Sequence, residues 1–441
     1  MRRQNRFAFL LAALAFIAST LTPPAFAQTS ATHPAREATP ELRRQTFEMV
    51  WRTIKEKHFD PKFNGVDWDK VREMYAPRVA RVKSDAEFYE LLQRMLDELR
   101  QSHFAVIPPE LTHRPERGEQ QEEVDIGVRL GMLGEEAVIT RVIPGSSGAR
   151  AGLRPGFVIK EIDGKRIEQI GAQLKRRKES RESARASLIE LLSENLLGAP
   201  GSSVRLVYLD EADRTREAVV RREQSQGELS PAIGSFPSFF TEFESRRLAD
   251  NVGYLRFNIF HPVLNQRIRA AVRSMSDAPG IIIDLRGNPG GFDGVGQGLA
   301  GLLLDKKTVL GMSRMREGHE NYIVYPQKNP YAGPVVILLD CMSGSASESF
   351  SGGMQSIGRA VVVGERSSGG DLDASIETLP TGALLLYAYA DFVTASGVSL
   401  EGRGVIPDLE VKLTRASLLD GGDAQLEAAV NYIKQQSKQQ K

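Results

Sequence analysis

The chain is nearly devoid of cysteine: among 441 residues only Cys341 is present. A single thiol forms no intramolecular disulfide and builds no cysteine-based zinc site. The six histidines (His33, His58, His103, His113, His261, His319) include no i, i+4 pair, so a helix-borne zinc motif is absent. Charge of one sign is missing too. Lysine and arginine number 57 against 56 acidic residues, net +1, without the basic excess of a nucleic-acid binder. Long apolar runs are confined to the start. Phe7 to Ala18 is unbroken but only twelve residues long, too short to span a bilayer. Arg2, Arg3 and Arg6 precede it, and Ala25-Phe26-Ala27 follows. This is the pattern of a secretory signal peptide over 1–27, cleaved before Gln28. No cysteine follows the apolar run, which excludes lipid attachment there. Cleavage removes three of the 57 basic residues and leaves 54 against 56 acidic. The mature chain is expected to be exported, periplasmic or secreted, with no membrane segment. Without cystines in an oxidising compartment, its core must hold the fold alone. What is present is ordinary globular material: 41% hydrophobic and 26% charged residues, long enough for about three domains.

Residues 28–38 are polar and aperiodic, a flexible leader. Thr39-Pro40 reads as an N-cap with proline in the first turn, and Phe47, Val50, Trp51 and Ile54 follow at helical spacing. Ser84-Asp85-Ala86-Glu87 reads as a capping box opening a second helix, with Phe88, Leu91, Leu92, Met95 and Leu99 as its stripe. Residues 39–112 are thus expected to form a helical N-terminal domain, and the charged stretch 113–123 a linker. Short β-type segments occupy 122–223: Val124 to Leu130, Ala137 to Ile143, Phe157 to Ile162 and Val204 to Leu209. Lys175-Arg176-Arg177-Lys178 between them, flanked by Glu179 and Glu182, reads as a solvated helix face rather than a binding patch. From about 230 to 415 the pattern changes to buried strands separated by helices: Gly280 to Leu285, Pro334 to Asp340, Arg359 to Glu365. Continuous apolar strands of this kind indicate a sheet covered on both faces. Asp423 to Lys434 is an amphipathic helix within a terminal segment, 416–441.

Two segments have the composition of chemistry. Cys341-Met342-Ser343-Gly344-Ser345-Ala346-Ser347-Glu348 lies between a buried strand and a helix-compatible run. A serine at a helix start sits beside unpaired amides that can hold an oxyanion. The same serines would also serve as N-caps and small packing residues. Asp284-Leu285-Arg286-Gly287-Asn288-Pro289-Gly290-Gly291 also follows a buried strand. It lacks the Gly-Lys-Ser/Thr ending of a phosphate loop, and a tight turn would use the same residues.

Together these segments resemble the carboxyl-terminal processing (tail-specific) protease and tricorn-like serine peptidase family. DLRGNPGG is similar to the family's D-L-R-x-N-x-G-G loop, and SGSASE to its S-x-S-A-S-E nucleophile motif. GRAVVVGE and EGRGVIPDLEV resemble the segments that follow, and the four stand in the family's order. Val124 to Leu209 resembles a PDZ domain. The fold implied is multidomain α/β: an N-terminal helical domain, a PDZ-like β domain, and a catalytic α/β domain of the tail-specific protease (crotonase-like) type.

The resemblance implies Ser345 as nucleophile, with an oxyanion hole from Gly290, Gly291 and Ala346. It implies binding of free protein or peptide C-termini at Ile126, Gly127 and Val128, and no cofactor or metal. The larger branch of the family activates its serine with a lysine 25 residues downstream and supports it with a glutamine four residues later. Here those positions are Gly370 and Ala374, and the first lysine after Ser345 is Lys412. The tricorn-like branch uses a Ser-His pair and a glutamate, which Ser102-His103 and Glu401 match. A histidine can take the serine proton at neutral pH. A structural histidine and a surface glutamate would fit the same positions, and Cys341, as a rival nucleophile, reads better as a buried thiol. The expected function is that of an exported serine endopeptidase with a histidine base. The alternatives are a catalytically dead, PDZ-bearing scaffold and, third, a carrier of small hydrophobic ligands.

Overall fold

A computed structural model describes residues 37–109, 124–174, 181–224, 227–234, 236 and 238–439. The signal segment, the leader up to residue 36, the 113–123 linker and the Lys175–Lys178 run lie outside the described residues.

Thr39 caps the first helix, Pro40–Lys57, its Oγ1 accepting the Leu42 amide at 3.2 Å. Ser84 likewise caps Asp85–Leu96 through the Glu87 amide. The Glu87 carboxylate reaches back to the Lys83 amide (2.8 Å), one residue earlier than in a standard capping box. Between these lies the helix Trp68–Val79, capped by Asp67, burying Trp68, Val71, Tyr75 and Val79 along one face and carrying Pro77 near its end. Phe88, Leu92 and Met95 share one core with Leu372, Leu379, Leu385 and Tyr387 from the far end of the chain. The short strand Ala105–Ile107 then pairs antiparallel with Leu384–Leu386. That pairing carries the segment just before it, Ser102-His103, into the catalytic region.

The middle of the chain is an antiparallel sheet in the order Val128–Leu133, Glu136–Val142, Val158–Ile162, Ser203–Leu209, Thr215–Arg221. The last strand was not legible, because most of its residues are exposed and polar. Ile189 and Leu192 of the helix Arg181–Leu196 close the core over Ile139, Ile159 and Leu206.

The peptidase-type region is built on a six-stranded sheet ordered Phe243–Arg247, Gly253–Phe257, Ile281–Asp284, Val335–Leu339, Val361–Gly364, Leu409–Glu410. Only the first pair is antiparallel. Ile281–Asp284 and Val335–Leu339 are buried at every residue. Ala429 and Ile433 of the helix Ala424–Gln439 cover one face at Ile282, Val336 and Leu338. Leu299, Phe350 and Met354 cover the other at Ile281, Ile283 and Ile337. Two covered faces are why these strands read as continuous apolar runs. A second sheet joins Thr308–Met315, His319–Val324, Leu372–Thr378 and the long strand Leu384–Thr394 to Ala105–Ile107.

Candidate active site

Ser345 closes the turn between the buried strand Val335–Leu339 and the helix Ala346–Ser356. Its backbone is at φ 48°, ψ −125°, where a residue with a Cβ is strained. The Ser345 amide donates to Gly370 O at 2.9 Å, which holds that geometry. Its side chain makes no capping bond, so the hydroxyl is free for chemistry. Ser343 and Ser347 are buried and committed to the loop: Ser343 Oγ donates to Leu285 O, and Ser347 Oγ to Asn288 O. The geometry therefore separates Ser345 from the two serines beside it. Cys341 is buried in the core of the middle sheet, and burial first, with the Asp340 charge, pushes its thiol up. It is inert as a nucleophile.

The DLRGNPGG loop is pinned from below by charge. Asp284 is fully buried, paired with Arg286 at 2.7 Å and Arg256 at 3.0 Å, and accepts the Tyr254 hydroxyl at 2.8 Å. Burial alone would raise its carboxyl, but the two guanidiniums hold it well below the usual carboxylate range. Asn288 Oδ1 accepts the Gly290 amide at 2.9 Å. The expected oxyanion role of the Gly290 amide is thus corrected: that N–H is already engaged. Gly290 instead supplies room, since a Cβ there would lie 2.6 Å from Ser345 Cβ and 2.9 Å from the Ala346 nitrogen. Among the described residues, the amides of Gly291 and Ala346 have no acceptor.

Ser102, His103 and Glu401 come together. Glu401 accepts the Ser102 amide (2.7 Å), the Ser102 hydroxyl (2.8 Å) and the Asp371 amide (3.1 Å). Ser102 Oγ lies 2.7 Å from His103 Nδ1. An ionised Glu401 can only accept, so Ser102 donates its one proton to Glu401 and accepts from His103 Nδ1–H. That tautomer leaves His103 Nε2 bare. Nε2 is buried and has no hydrogen-bond partner among the described residues. Burial pushes His103 down to about 4, below the 6.5 of a free imidazole, so the ring is neutral at pH 7. Burial pushes Glu401 up to about 7, opposed by its three donors and reinforced by the Glu348 charge. Glu401 is half-buried and held by these three donors rather than standing free on the surface.

Gly370 joins the two halves. Its carbonyl holds Ser345, and a Cβ at this position would touch Ser102 Cβ at 3.4 Å. The space into which a lysine at 370 would project borders the serine of the histidine relay. Lys412 is exposed and paired with Glu410 at 3.2 Å. Glu348, given no role by sequence, binds the Ser367 and Ser368 hydroxyls and the Gly369 and Gly370 amides. It fixes the loop that holds Ser345; the final letter of SGSASE was its signal.

The Ile126–Val128 segment departs from expectation. The Gly127 amide donates to Asp125 Oδ1 at 2.8 Å, and the Ile126 carbonyl accepts from Gly148. The side chain of Arg185 donates to Met132 O on the edge strand at 2.7 Å and pairs with Glu365 at 2.9 Å. The Gly127 amide is therefore not open to a ligand carboxylate. Two surface hollows, lined by residues such as Arg141, Glu228 and Ala270, are bordered by none of Ser345, Ser102, His103 and Glu401, though the first reaches Arg256.

Residues 251–411 match the peptidase family S41 domain, and residues 39–97 the tricorn protease C1 domain. Residues 251–411 thus carry a peptidase S41 domain. The chain is 26% identical to a carboxyl-terminal-processing protease of Picosynechococcus sp. over 395 residues, 88% of each chain. It is 25% identical to the carboxyl-terminal-processing protease of Synechocystis sp. over 439 residues, 97% of this chain and 92% of that one. Its fold is similar to that of the photosystem II D1 C-terminal processing protease (TM-score 0.58, 23% identity, covering 87% of this chain and 98% of that one). It is also similar to mature CPAF (TM-score 0.63, 14% identity, 90% and 97%). With that domain, the chain is a serine-type peptidase. Among its described residues no helix is long and apolar enough to cross a membrane.

Proposed function

We propose that the chain is an exported endopeptidase acting on proteins with free C-termini, with Ser345 as nucleophile and His103 as general base. The observation that carries this reading is the hydrogen-bonded series Glu401, Ser102, His103, which ends on a bare Nε2. In the proposed cycle His103 takes the Ser345 proton as Oγ attacks the peptide carbonyl. Ser102 and Glu401 hold the tautomer and stabilise the imidazolium as it forms. The Ala346 and Gly291 amides receive the oxyanion. His103 then returns the proton to the leaving amine, and water repeats the sequence on the acyl-enzyme. The names of the relatives support the C-terminal substrate class. In the same reading, residues 122–223 bind the substrate tail by adding it to the edge strand Val128–Leu133, after Arg185 releases Met132 O. The division at 39–112, 122–223 and 230–415 belongs to this proposal, as does the signal peptide. The scaffold alternative draws on the unformed bond between His103 Nε2 and Ser345. The test is labelling with a serine-directed fluorophosphonate. Wild type should label, Ser345→Ala should not, and His103→Gln should label at least a hundredfold more slowly. Unlabelled wild type leaves the scaffold reading.

A further inference from the structure

Beside the nucleophile lies a group of buried acids that the mechanism above does not use. Asp371 follows Gly370, and its Oδ1 accepts the hydroxyl of Ser349, one helical turn beyond Ser345. Asp371 is only 3% exposed, and its Oδ2 is buried without a partner among the described residues. Asp293 stands two residues after Gly291 in the oxyanion loop and is only partly buried, so the group meets solvent there. Asp373 continues from Asp371 along the strand Leu372–Thr378. Burial comes first in raising all three carboxyls, Asp373 to about 6, and the charges of Asp293 and Asp373 act on Asp371.

The neighbouring acids are treated differently. Asp391 is paired with Arg314 at 2.6 Å and holds the Ser399 hydroxyl. Glu348 has four donors. None of Asp293, Asp371 and Asp373 has a basic partner among the described residues. Three carboxyls brought together without a cation cost stability unless something positive joins them. Among the described residues no set of acids is arranged to hold a metal ion.

We infer that Asp371, Asp373 and Asp293 form a pocket for a lysine or arginine side chain of the substrate, on the acyl side of the bond that Ser345 attacks. The inference rests on the peptidase reading above. The position follows from connectivity. The loop that offers the Gly291 amide to the substrate carbonyl continues directly to Asp293, and the helix that offers the Ala346 amide presents Ser349 with Asp371. The residue whose carbonyl enters that hole directs its side chain into the space between them. The unfilled Asp371 Oδ2 is the acceptor that an ammonium or guanidinium would take.

The test is a set of fluorogenic peptides, differing only in the residue before the cleaved bond (Arg, Lys, Ala, Leu or Glu), given to the mature chain. Arginine and lysine peptides should be cleaved with kcat/KM at least tenfold above leucine and alanine. In Asp371→Asn and Asp373→Asn the Arg/Leu ratio should fall about tenfold each. On the wild type, benzamidine should slow fluorophosphonate labelling of Ser345, while neutral benzamide should not. This second measurement stands if a variant fails to fold. Preferential cleavage after leucine or alanine, or a basic preference confined to the leaving side, overturns the pocket and leaves the peptidase intact. A chain that neither cleaves nor labels overturns both.

Discussion

Asp284, fully buried, and Glu401, half-buried, are carboxyls of one region, yet they are solvated in opposite ways. Asp284 is met by two guanidiniums, and its charge is fixed across the working pH range. Glu401 is met only by neutral donors, two from Ser102 and one from Asp371. Its carboxyl is pushed up to about 7, where a proton comes and goes. A buried acid given opposite charge becomes architecture, and one given only hydrogen bonds stays responsive. The difference matters because the protonation of Glu401 decides which nitrogen of His103 is bare. Protonated, Glu401 can donate to Ser102 Oγ, which can then donate to Nδ1 and leave the proton on Nε2.

The largest effect expected is that of Ser345→Ala, which should lower turnover by roughly 10⁴-fold or more, the scale of a lost nucleophile. Its melting temperature should stay within a few degrees of wild type, since the hydroxyl caps nothing. Next come His103→Gln and Glu401→Gln, each costing about 10²–10⁴ in kcat. Glu401→Gln should approach the histidine loss, because an amide NH₂ facing Ser102 Oγ enforces the wrong tautomer. A Glu401→Gln variant with wild-type turnover would falsify the relay.

The pH profile sharpens the contrast further. A histidine base at its ordinary value would put the acid limb near 6.5. With His103 lowered to about 4, the limb of kcat/KM should fall near 7, through Glu401, and vanish in Glu401→Gln. The stability signs are opposite as well. A raised carboxyl stabilises the fold below its unfolded value and loses that as pH rises through 7. The melting temperature of Glu401→Gln should therefore gain on wild type between pH 5 and 8. Asp284, held low, contributes stability that is fully present above about 4 and lost only in strong acid. Asp284→Asn should cost about 3–5 kcal/mol by leaving Arg256 without its carboxylate and Arg286 with Asp423 alone, read as a loss of denaturant midpoint. The smallest effect is that of Lys412→Ala, which should leave kcat/KM within about twofold, as for an exposed pair.

Much of the relay was legible because its members sit in local motifs. Ser102-His103, SGSASE and EGRGVIPDLEV each name their residues by neighbours in sequence. What joins them was not legible. The pairing of Ala105–Ile107 with Leu384–Leu386 is a long-range register that no local pattern encodes. Glycine at 370 announced the missing lysine, and only the fold shows Ser102 beside it. The acids at 293, 371 and 373 form no motif at all; their meaning comes from burial beside one another. Gly127 misled because its identity promised an open amide, whereas Asp125, two residues earlier, already fills it. Trp68–Val79 escaped although Trp68, Val71, Tyr75 and Val79 keep helical spacing, because Pro77 near its end reads as a break.

The strand Ala105–Ile107 has a consequence for how such an enzyme is made. It carries His103, the proposed base, from the early part of the chain, and its only strand partner among the described residues, Leu384–Thr394, lies beyond Ser345. Glu401, which sets the tautomer, comes later still. A growing or truncated chain that ends before these segments holds Ser345 without a working base. On the proposed mechanism, hydrolytic power arrives late in synthesis, once these last segments have joined the fold.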